Sequence, residues 1–169
     1  MTGLEVLRAD HAAAVLAFEV ENRAYFASFV SDRGDAYFEN FPDHFAALLA
    51  EQGAGVCAFH VLLQENGAVL GRFNLYDVAD GTADLGYRVA QHATGRGLAT
   101  AGVTQLCRLA ASVYRLQALR AAVADANVAS ARVLLKAGFV AVGPAAPDQV
   151  GGRSGTSYRR DLAARPSDT

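Results

Sequence analysis

The sequence predicts an α+β fold (mixed α/β), in which helices flank a central mixed sheet that is mostly antiparallel. Two turn signals, Asn66-Gly67 and Asp80-Gly81, divide three strand-like runs into an antiparallel meander. After the third run, a glycine turn and a helix-like run lead to a further strand, which implies a parallel pair with a right-handed crossover. The chain has 169 residues and is 52% apolar, enough for one domain with its own core.

Helices are predicted for most of the first third of the chain, after a short strand at residues 4–7. Asp10 is placed to cap a first helix, and residues 21–26 form a second helix of mixed polarity. Pro42 suits the first turn of a third helix, which ends at Gly53.

The middle of the chain reads as strands, and the last third alternates helices and strands. The three strands of the meander are predicted at residues 55–63, 68–76 and 83–89. A long helix follows the glycine turn and ends near Tyr114, and a strand at 119–123 comes next. The apolar face of that helix is predicted from its spacing as Leu98, Gly102, Leu106, Leu109 and Val113.

A helix over residues 127–137 is predicted to end at Gly138, which can adopt the left-handed conformation and let Phe139 pack back on Leu134. Final strands are predicted at 140–142 and 156–162. Residues 163–169 read as a flexible tail, so one domain is expected over residues 1–162.

Composition excludes several classes of function. The net charge is -2 and the pI is about 6.0, which argues against a nucleic-acid-binding protein. No apolar run approaches the roughly 20 residues that span a bilayer, and residues 1–10, which carry charge and no apolar core segment, are not expected to be a secretory signal. Cys57 and Cys107 are too few for a disulfide framework, and His11, His44 and His60 lack the paired spacing of metal ligands. We therefore expect a cytoplasmic protein with reduced cysteines, no metal and no membrane contact.

The run Gly95-Arg96-Gly97-Leu98-Ala99-Thr100 carries the clearest chemical signal. Two glycines beside a helix start let the backbone approach an anion closely. The N–H groups of the first helical turn have no partner within the helix, and the helix dipole adds partial positive charge there. Such a turn suits a phosphate or pyrophosphate, although a strand-to-helix turn without a ligand has the same local pattern.

Three passages together resemble the GCN5-related N-acetyltransferase (GNAT) superfamily, and most of all its enzymes that acetylate the N-termini of ribosomal proteins. The strand at residues 83–89 is similar to the fourth strand of that family, and residues 95–100 are similar to its pyrophosphate loop. The run from Asn127 to Phe139 resembles the family signature Asn-x-x-Ser…Lys-x-Gly-Phe. The resemblance extends to about Leu162 and implies a sheet splayed between the fourth and fifth strands.

The resemblance implies that acetyl-CoA is the co-substrate. Its pyrophosphate would meet the backbone N–H groups of residues 94–99, its pantetheine arm would lie in the splay, and the N–H near Val89 would face the thioester oxygen. In the family a Gln or Arg often stands three positions before the first glycine, where this chain has His92. The residues expected to contact the co-substrate are Tyr87, Arg88, Val89, His92, Thr94, Gly95, Arg96, Gly97, Leu98, Ala99, Thr100, Asn127 and Ser130.

Acetyl transfer requires an amine without its extra proton and a proton for the departing thiolate. By resemblance, Asp84 is the expected base, directly or through a water, and a carboxylate paired with Arg88 is the alternative interpretation. Glu19 and Glu21 compete for the role of base or for recognition of a positive substrate. Ser130 is the expected acid, one turn after Asn127. Tyr87 and Tyr158 are weaker acid candidates, and aromatic residues that can line an acceptor pocket are Tyr25, Phe26, Phe29 and Tyr37.

The expected function is therefore an acetyl-CoA-dependent N-acetyltransferase acting on a primary amine, in particular a peptide or protein N-terminal α-amine. A small-molecule amine acetyltransferase and a non-catalytic acetyl-CoA-binding module stay open as alternatives. A dinucleotide-binding dehydrogenase is disfavoured, because Thr100 stands where its third glycine belongs and the loop follows a meander. The expected partners are acetyl-CoA and the amine acceptor, in a monomer or homodimer without nucleic acid.

Overall fold

The computed structural model describes residues 3–162, in which seven strands form one mixed sheet in the order β1-β2-β3-β4-β5-β7-β6. The strands are β1 (Glu5–Val6), β2 (Ala58–Leu63), β3 (Val69–Ala79), β4 (Thr82–Val89), β5 (Ala118–Ala124), β6 (Val140–Pro144) and β7 (Gly155–Asp161). The helices are α1 (Ala12–Glu21), α2 (Arg23–Ala27), α3 (Asp35–Glu39), α4 (Phe41–Gly53), α5 (Leu98–Ser112) and α6 (Val128–Lys136). The predicted mixed α+β class is confirmed, whereas the predicted tail at 163–169 lies outside the described residues.

Strands β2, β3 and β4 form the antiparallel meander that the turn signals predict. In the second turn, Asp80 and Gly81 have φ of 53° and 75°, and Ala79 pairs directly with Thr82. Two consecutive positive φ angles define the type I′ turn, whose twist matches that of the flanking strands. The pairing shifts by a bulge between Tyr76 and Ala79, so the turn and this bulge together set the register of β4 and the position of the side chains that β4 presents.

Strands β4 and β5 are paired in parallel over only three residues. The pairs are Thr82 with Ala118, Ala83 with Leu119 and Asp84 with Arg120. Beyond Asp84, β4 stays paired with β3, and β5 stays paired with β7 along its whole length. The two strands therefore diverge in the middle of the sheet, as the resemblance implies, and they leave a gap beside residues 85–89.

Helices cover both faces of the sheet. Phe73 and Arg72 are neighbours on β3 and so point to opposite faces. The fully buried Phe73 ring lies against α5, where a Cβ added at Gly102 would come within 2.3 Å of it. Arg72 binds Glu19 of α1 on the other face. Glycine at position 102 is thus what allows α5 to approach the sheet so closely.

The end of α6 follows the prediction in detail. Gly138 has φ of 91°, its N–H donates to the Leu135 carbonyl (3.1 Å), and the Phe139 N–H donates to the Leu134 carbonyl (3.0 Å). These two bonds define a Schellman motif, and Leu134 and Phe139 are both buried in the core. The motif fixes the end of α6 and thereby the orientation of the helix that carries Ser130.

Some local predictions were wrong. Asp10 does not cap a helix: it lies in the 3₁₀ turn Ala9–His11, and its carboxylate pairs with Arg8. The helix α4 includes Gly53 as its last residue, and the left-handed residue that follows is Gly55, with φ of 78°.

The helical spacing of apolar residues also gave two wrong predictions, one at the end of α5 and one at the short helix α3. Val113 is 60% exposed, because α5 ends one residue earlier, at Ser112. The short helix α3 was not predicted, because five residues are too few to show a helical period.

Candidate active site

The glycine turn between β4 and α5 is built as an anion cradle. Gly95 and Gly97 have φ of 76° and 73°, and a Cβ added to either would meet nothing within 4 Å. Gly97 is the N-cap of α5. Within residues 3–162, the N–H groups of residues 95–100 donate no hydrogen bond, so six backbone donors are available to a ligand. The cradle therefore fits the pyrophosphate that the sequence predicted.

A cavity of about 350 Å³, here called the glycine-loop cavity, leads from this cradle into the gap between β4 and β5. Its size is that of a small-molecule site. Among the residues predicted to contact the co-substrate, eleven line it: Tyr87, Arg88, Val89, Thr94, Gly95, Gly97, Leu98, Ala99, Thr100, Asn127 and Ser130. His92 and Arg96 do not, and the Arg96 guanidinium donates to the His92 carbonyl (3.1 Å).

The backbone of β4 presents unpaired donors to the gap. The Ala90 N–H donates to the Leu70 carbonyl on β3 (2.8 Å). Successive N–H groups of a strand point to opposite edges, so those of Tyr87 and Val89 point away from β3 and towards the edge that β5 has left. These two donors are suitably placed for the amide groups or the thioester oxygen of an extended ligand.

Tyr87 and Ser130 meet at the innermost part of the gap. The Tyr87 Oη and Ser130 Oγ atoms are 2.9 Å apart. Burial raises the pKa of Tyr87, and the hydrogen bond from Ser130 offsets only part of that shift, so the phenol stays protonated at neutral pH. Tyr87 also stacks on Phe73, with 5.9 Å between ring centroids, and this contact fixes the ring. The site therefore holds a proton on a rigid pair of hydroxyl groups.

Asn127 supports this pair from the start of α6. Its Oδ1 accepts from the Ser130 N–H (3.2 Å), so the predicted N-cap is present. The Nδ2 group makes no hydrogen bond with the described residues and is available to a ligand carbonyl. The cap and the predicted pantetheine contact are therefore compatible in one side chain.

A second cavity of about 440 Å³, here called the β5 cavity, opens on the other side of Tyr87 and Ser130. Tyr87, Asn127 and Ser130 line both cavities. The β5 cavity is lined on one side by residues 148–151, from the 3₁₀ turn Pro147–Val150 and its end, and by Arg153, none of which the sequence singled out. The pair Gly151-Gly152, with φ of 64° and 78°, was the available signal for a functional loop there.

Asp84 is not brought to this site. Its Oδ1 atom accepts from Arg120 Nε (2.9 Å), not from Arg88, and its side chain is 36% exposed. It shares a face of β4 with Gly86 and Arg88, opposite to the face of Tyr87. Asp84 also lies outside the residues that line the two cavities. The structure therefore separates the predicted base from the predicted acid.

Glu19 is buried beneath Arg88, on that same face. Its carboxylate is 1% exposed and pairs with Arg72 (2.7 Å), Arg33 (3.2 Å) and Arg88 (3.2 Å). Burial pushes the Glu19 pKa upward, but the three guanidinium groups more than offset this effect and hold it below its usual range. A carboxylate held in this way is a poor base. The alternative Glu21 is exposed on α1.

The remaining candidates are spread over the core and surface. Tyr158 is buried in the core and lines neither cavity. Of the predicted pocket aromatics, Tyr25, Phe26 and Phe29 line the glycine-loop cavity, Phe29 also lines the β5 cavity, and Tyr37 lines neither. Burial raises the pKa of both Cys57 and Cys107.

Between residues 3 and 162, no group of three or more His, Cys, Asp or Glu residues is arranged for a metal ion. Over the same range, no helix combines the length and apolar character needed to cross a membrane.

Comparison with known proteins identifies the family to which this fold belongs. The model of the acetyltransferase (GNAT) domain family matches residues 3–140. No curated protein matches the sequence. The ribosomal-protein-S5-alanine acetyltransferase of Vibrio fischeri superposes with a TM-score of 0.88 at 18% identity, over 96% of this chain and 94% of that one.

Two other solved structures are bound to CoA species. RimJ of Mycobacterium smegmatis, in complex with CoA-disulfide, has a TM-score of 0.85 at 23% identity, over 97% of this chain and 83% of that one. A spermidine N-acetyltransferase of Vibrio cholerae, in complex with CoA and spermine, has a TM-score of 0.77 at 14% identity, over 94% of each chain. At these identities the likeness shows the fold, and the family model covers more than half of the chain. The chain therefore belongs to the GNAT family and carries its acyl-CoA-dependent N-acetyltransferase domain.

Proposed function

We propose that the protein transfers an acetyl group from acetyl-CoA to a primary amine, in particular the α-amine of a peptide or protein N-terminus. The observation that carries this proposal is the Tyr87–Ser130 hydroxyl pair, because it lies where the glycine-loop cavity meets the β5 cavity. One cavity suits the acetyl donor and the other the acceptor. We propose further that residues 1–162 form a single domain and that the protein acts in the cytoplasm as a monomer or homodimer.

In this proposal acetyl-CoA lies along the glycine-loop cavity, with its pyrophosphate on the N–H groups after Thr94. The pantetheine amides meet the gap-facing N–H groups of β4 and the Nδ2 of Asn127. The Val89 N–H donates to the thioester oxygen and stabilises the negative charge that develops there. The loop glycines, with open space around both, support this placement.

The neutral amine nitrogen attacks the thioester carbon directly from the β5 cavity, and the extra proton that the nitrogen then carries passes to water. The carbon–sulfur bond then breaks, and the thiolate takes a proton from the Ser130 hydroxyl, which regains one from Tyr87 or water. Cys57 and Cys107 are unsuited to a covalent acetyl-enzyme, since both are held as thiols away from the hydroxyl pair. The reaction therefore proceeds in a ternary complex.

Ser130→Ala is expected to lower kcat about 100-fold with little change in the affinity for acetyl-CoA, because the leaving thiolate loses its proton donor. Tyr87→Phe removes the partner hydroxyl and keeps the ring stacked on Phe73, so a smaller decrease in kcat is expected. Steady-state kinetics with a peptide panel, together with calorimetry for CoA, separate the two effects. Full activity of Ser130→Ala would remove the serine from the mechanism.

The role of Asp84 as base is a separate part of the proposal. An α-amine has a pKa of about 8, so a water that passes the proton to bulk solvent is sufficient near neutral pH. If Asp84 holds that water, Asp84→Asn is expected to shift the alkaline rise of kcat/KM to higher pH. Arg120→Gln is the matched control, since it removes the salt bridge but keeps the carboxylate. An unchanged pH profile in Asp84→Asn would leave the deprotonation to water alone.

The comparisons include both protein and polyamine acetyltransferases, so the acceptor has to be tested directly. Peptides with free α-amines, lysine side chains, spermidine and small amines are compared by release of CoA. Turnover of peptides alone supports the N-terminal assignment, and turnover of small amines alone supports the alternative acceptor class. Binding of acetyl-CoA without turnover of any amine would instead identify a non-catalytic acetyl-CoA-binding module.

A further inference from the structure

Arginine outnumbers carboxylate in the polar cluster on the α1 face of β3 and β4. Three guanidinium groups, those of Arg33, Arg72 and Arg88, share the single carboxylate of Glu19. The nearby acids Asp32 and Asp35 are both bound by Arg23 at 2.8 Å. The positive charge of the cluster is therefore only partly neutralised by the described residues.

Two of the three arginines have donors to spare and are open to solvent. Arg88 uses only Nη1, on Glu19, and its Nε and Nη2 have no hydrogen bond within the described part of the chain. Arg33 uses Nε and Nη2 and leaves Nη1. The side chains are 22% and 31% exposed, against 4% for Arg72. Arg88 also lines the glycine-loop cavity, and its guanidinium lies over the ring of Phe26, another residue of that lining, on the face of β4 opposite to Tyr87.

A second observation on the same face points to a missing polar partner. Tyr37 Oη and Asn74 Oδ1 are buried, and neither has a hydrogen-bond partner among residues 3–162. The Arg33 guanidinium lies over the Tyr37 ring at 4.8 Å. Asn74 lies directly opposite Gly86, which lines the β5 cavity. Buried polar atoms normally have partners, so two without one indicate a ligand site. The Tyr37 hydroxyl can donate to a carboxylate, whereas Asn74 Oδ1 only accepts and therefore suits the N–H of an amine.

We infer that the acceptor carries a carboxylate close to its amine, and that Arg33 and Arg88 bind this carboxylate. This inference rests on the proposed function and narrows its acceptor to acidic peptide N-termini. Guanidinium groups bind carboxylates through paired, charge-assisted hydrogen bonds. A polyamine would instead bring positive charge towards two incompletely neutralised guanidinium groups and be repelled. The acceptor class therefore differs from that of the spermidine enzymes that share the fold.

The test compares three dipeptide amides that differ only in the second side chain: alanyl-glutamate, alanyl-glutamine and alanyl-lysine. For the wild-type protein we expect kcat/KM to be about 10-fold higher for the glutamate peptide than for the glutamine peptide, and lowest for the lysine peptide. Arg33→Gln should abolish the preference without changing the KM for acetyl-CoA, and Arg33→Lys should keep part of it. The control Arg159→Gln, which removes a distant exposed pair with Asp161, should keep all of it.

Calorimetry of the same peptides on the enzyme–CoA complex separates this inference from the proposed function. Equal kcat/KM for the glutamate and glutamine peptides, or a preference for lysine or spermidine, would overturn the inference while the acetyltransferase function stands. If no peptide is turned over, the peptide α-amine acceptor of the proposed function fails. In that case, tighter binding of the glutamate peptide that depends on Arg33 would still support anion recognition, and equal binding of all three would overturn it.

Discussion

Replacing Glu19 by Ala is expected to lower the free energy of unfolding by about 3–5 kcal/mol, the range for breaking a buried ion pair by removing one partner. Three arginines converge on this carboxylate, and Arg72 is almost as buried as Glu19 itself. Without the carboxylate, their charges face one another in a region with little water. Urea unfolding, followed by circular dichroism, measures the change.

The control for this variant is Glu21→Ala, two residues further along α1. Glu21 is exposed and forms no salt bridge among the described residues, so its removal should change stability by less than about 0.5 kcal/mol. Glu19→Gln keeps the shape of the side chain, so its free energy of unfolding should lie between those of the wild type and Glu19→Ala. This variant can be measured even if the alanine variant does not fold. Equal stability of the Glu19 and Glu21 variants would show that the cluster does not support the fold.

The Glu19 carboxylate also makes the free energy of unfolding depend on pH. The Glu19 pKa is lower in the folded state than in the unfolded chain, where it is about 4.3. The unfolded state therefore binds more protons in that range, and the stabilisation is complete above about pH 4.3. It is lost as the pH falls from there through the folded pKa.

Gly97→Val is expected to weaken CoA binding by at least about 100-fold while the fold is kept. The valine side chain would occupy the open space above the cradle and exclude the pyrophosphate from the backbone N–H groups. Hydrogen bonds to charged groups contribute about 1.5–3 kcal/mol each, and losing two of them accounts for this factor. Isothermal titration calorimetry with CoA gives the affinity.

Valine at a positive φ also strains the backbone, so a matched variant is needed to separate strain from blocking. Gly67→Val provides it, because Gly67 has φ of 85° and open space around it but lies in the hairpin between β2 and β3. It should share the loss of stability and keep wild-type affinity for CoA. Unchanged CoA affinity in Gly97→Val would contradict the assignment of the cradle.

Local signals predicted the parts of the fold that depend on backbone conformation. The Asp80-Gly81 turn and the Gly138 helix end each need a positive φ. Glycine adopts a positive φ without a steric penalty, and few other residue types do so readily. The family resemblance supplied the gap between β4 and β5 and eleven residues of the cavity lining. Glu19 is predicted as a base or as a recognition group for positive charge, whereas the structure buries it beneath three arginines.

What the sequence could not supply was the set of partners that tertiary structure brings together. Glu19 and Arg72 are 53 residues apart, and no local sequence pattern indicates that the Arg72 side chain is buried against α1. Tyr87 and Ser130 were suspected separately, but their hydrogen bond depends on how α6 packs over the gap. Asp84 was paired with Arg88 by strand alternation, whereas the parallel register with β5 places Arg120 beside it.

The arrangement of one carboxylate under three guanidinium groups limits the order in which this chain can change in evolution. Loss of Glu19 first would leave three cations crowded together, whereas prior loss of Arg33 would leave the carboxylate with two partners and the core intact. Substitutions at these four positions are therefore interdependent, and a change at one alters the cost of a change at the others. Arg33, the most exposed of the three, is the position from which a lineage could move to acceptors of another charge without first losing its fold.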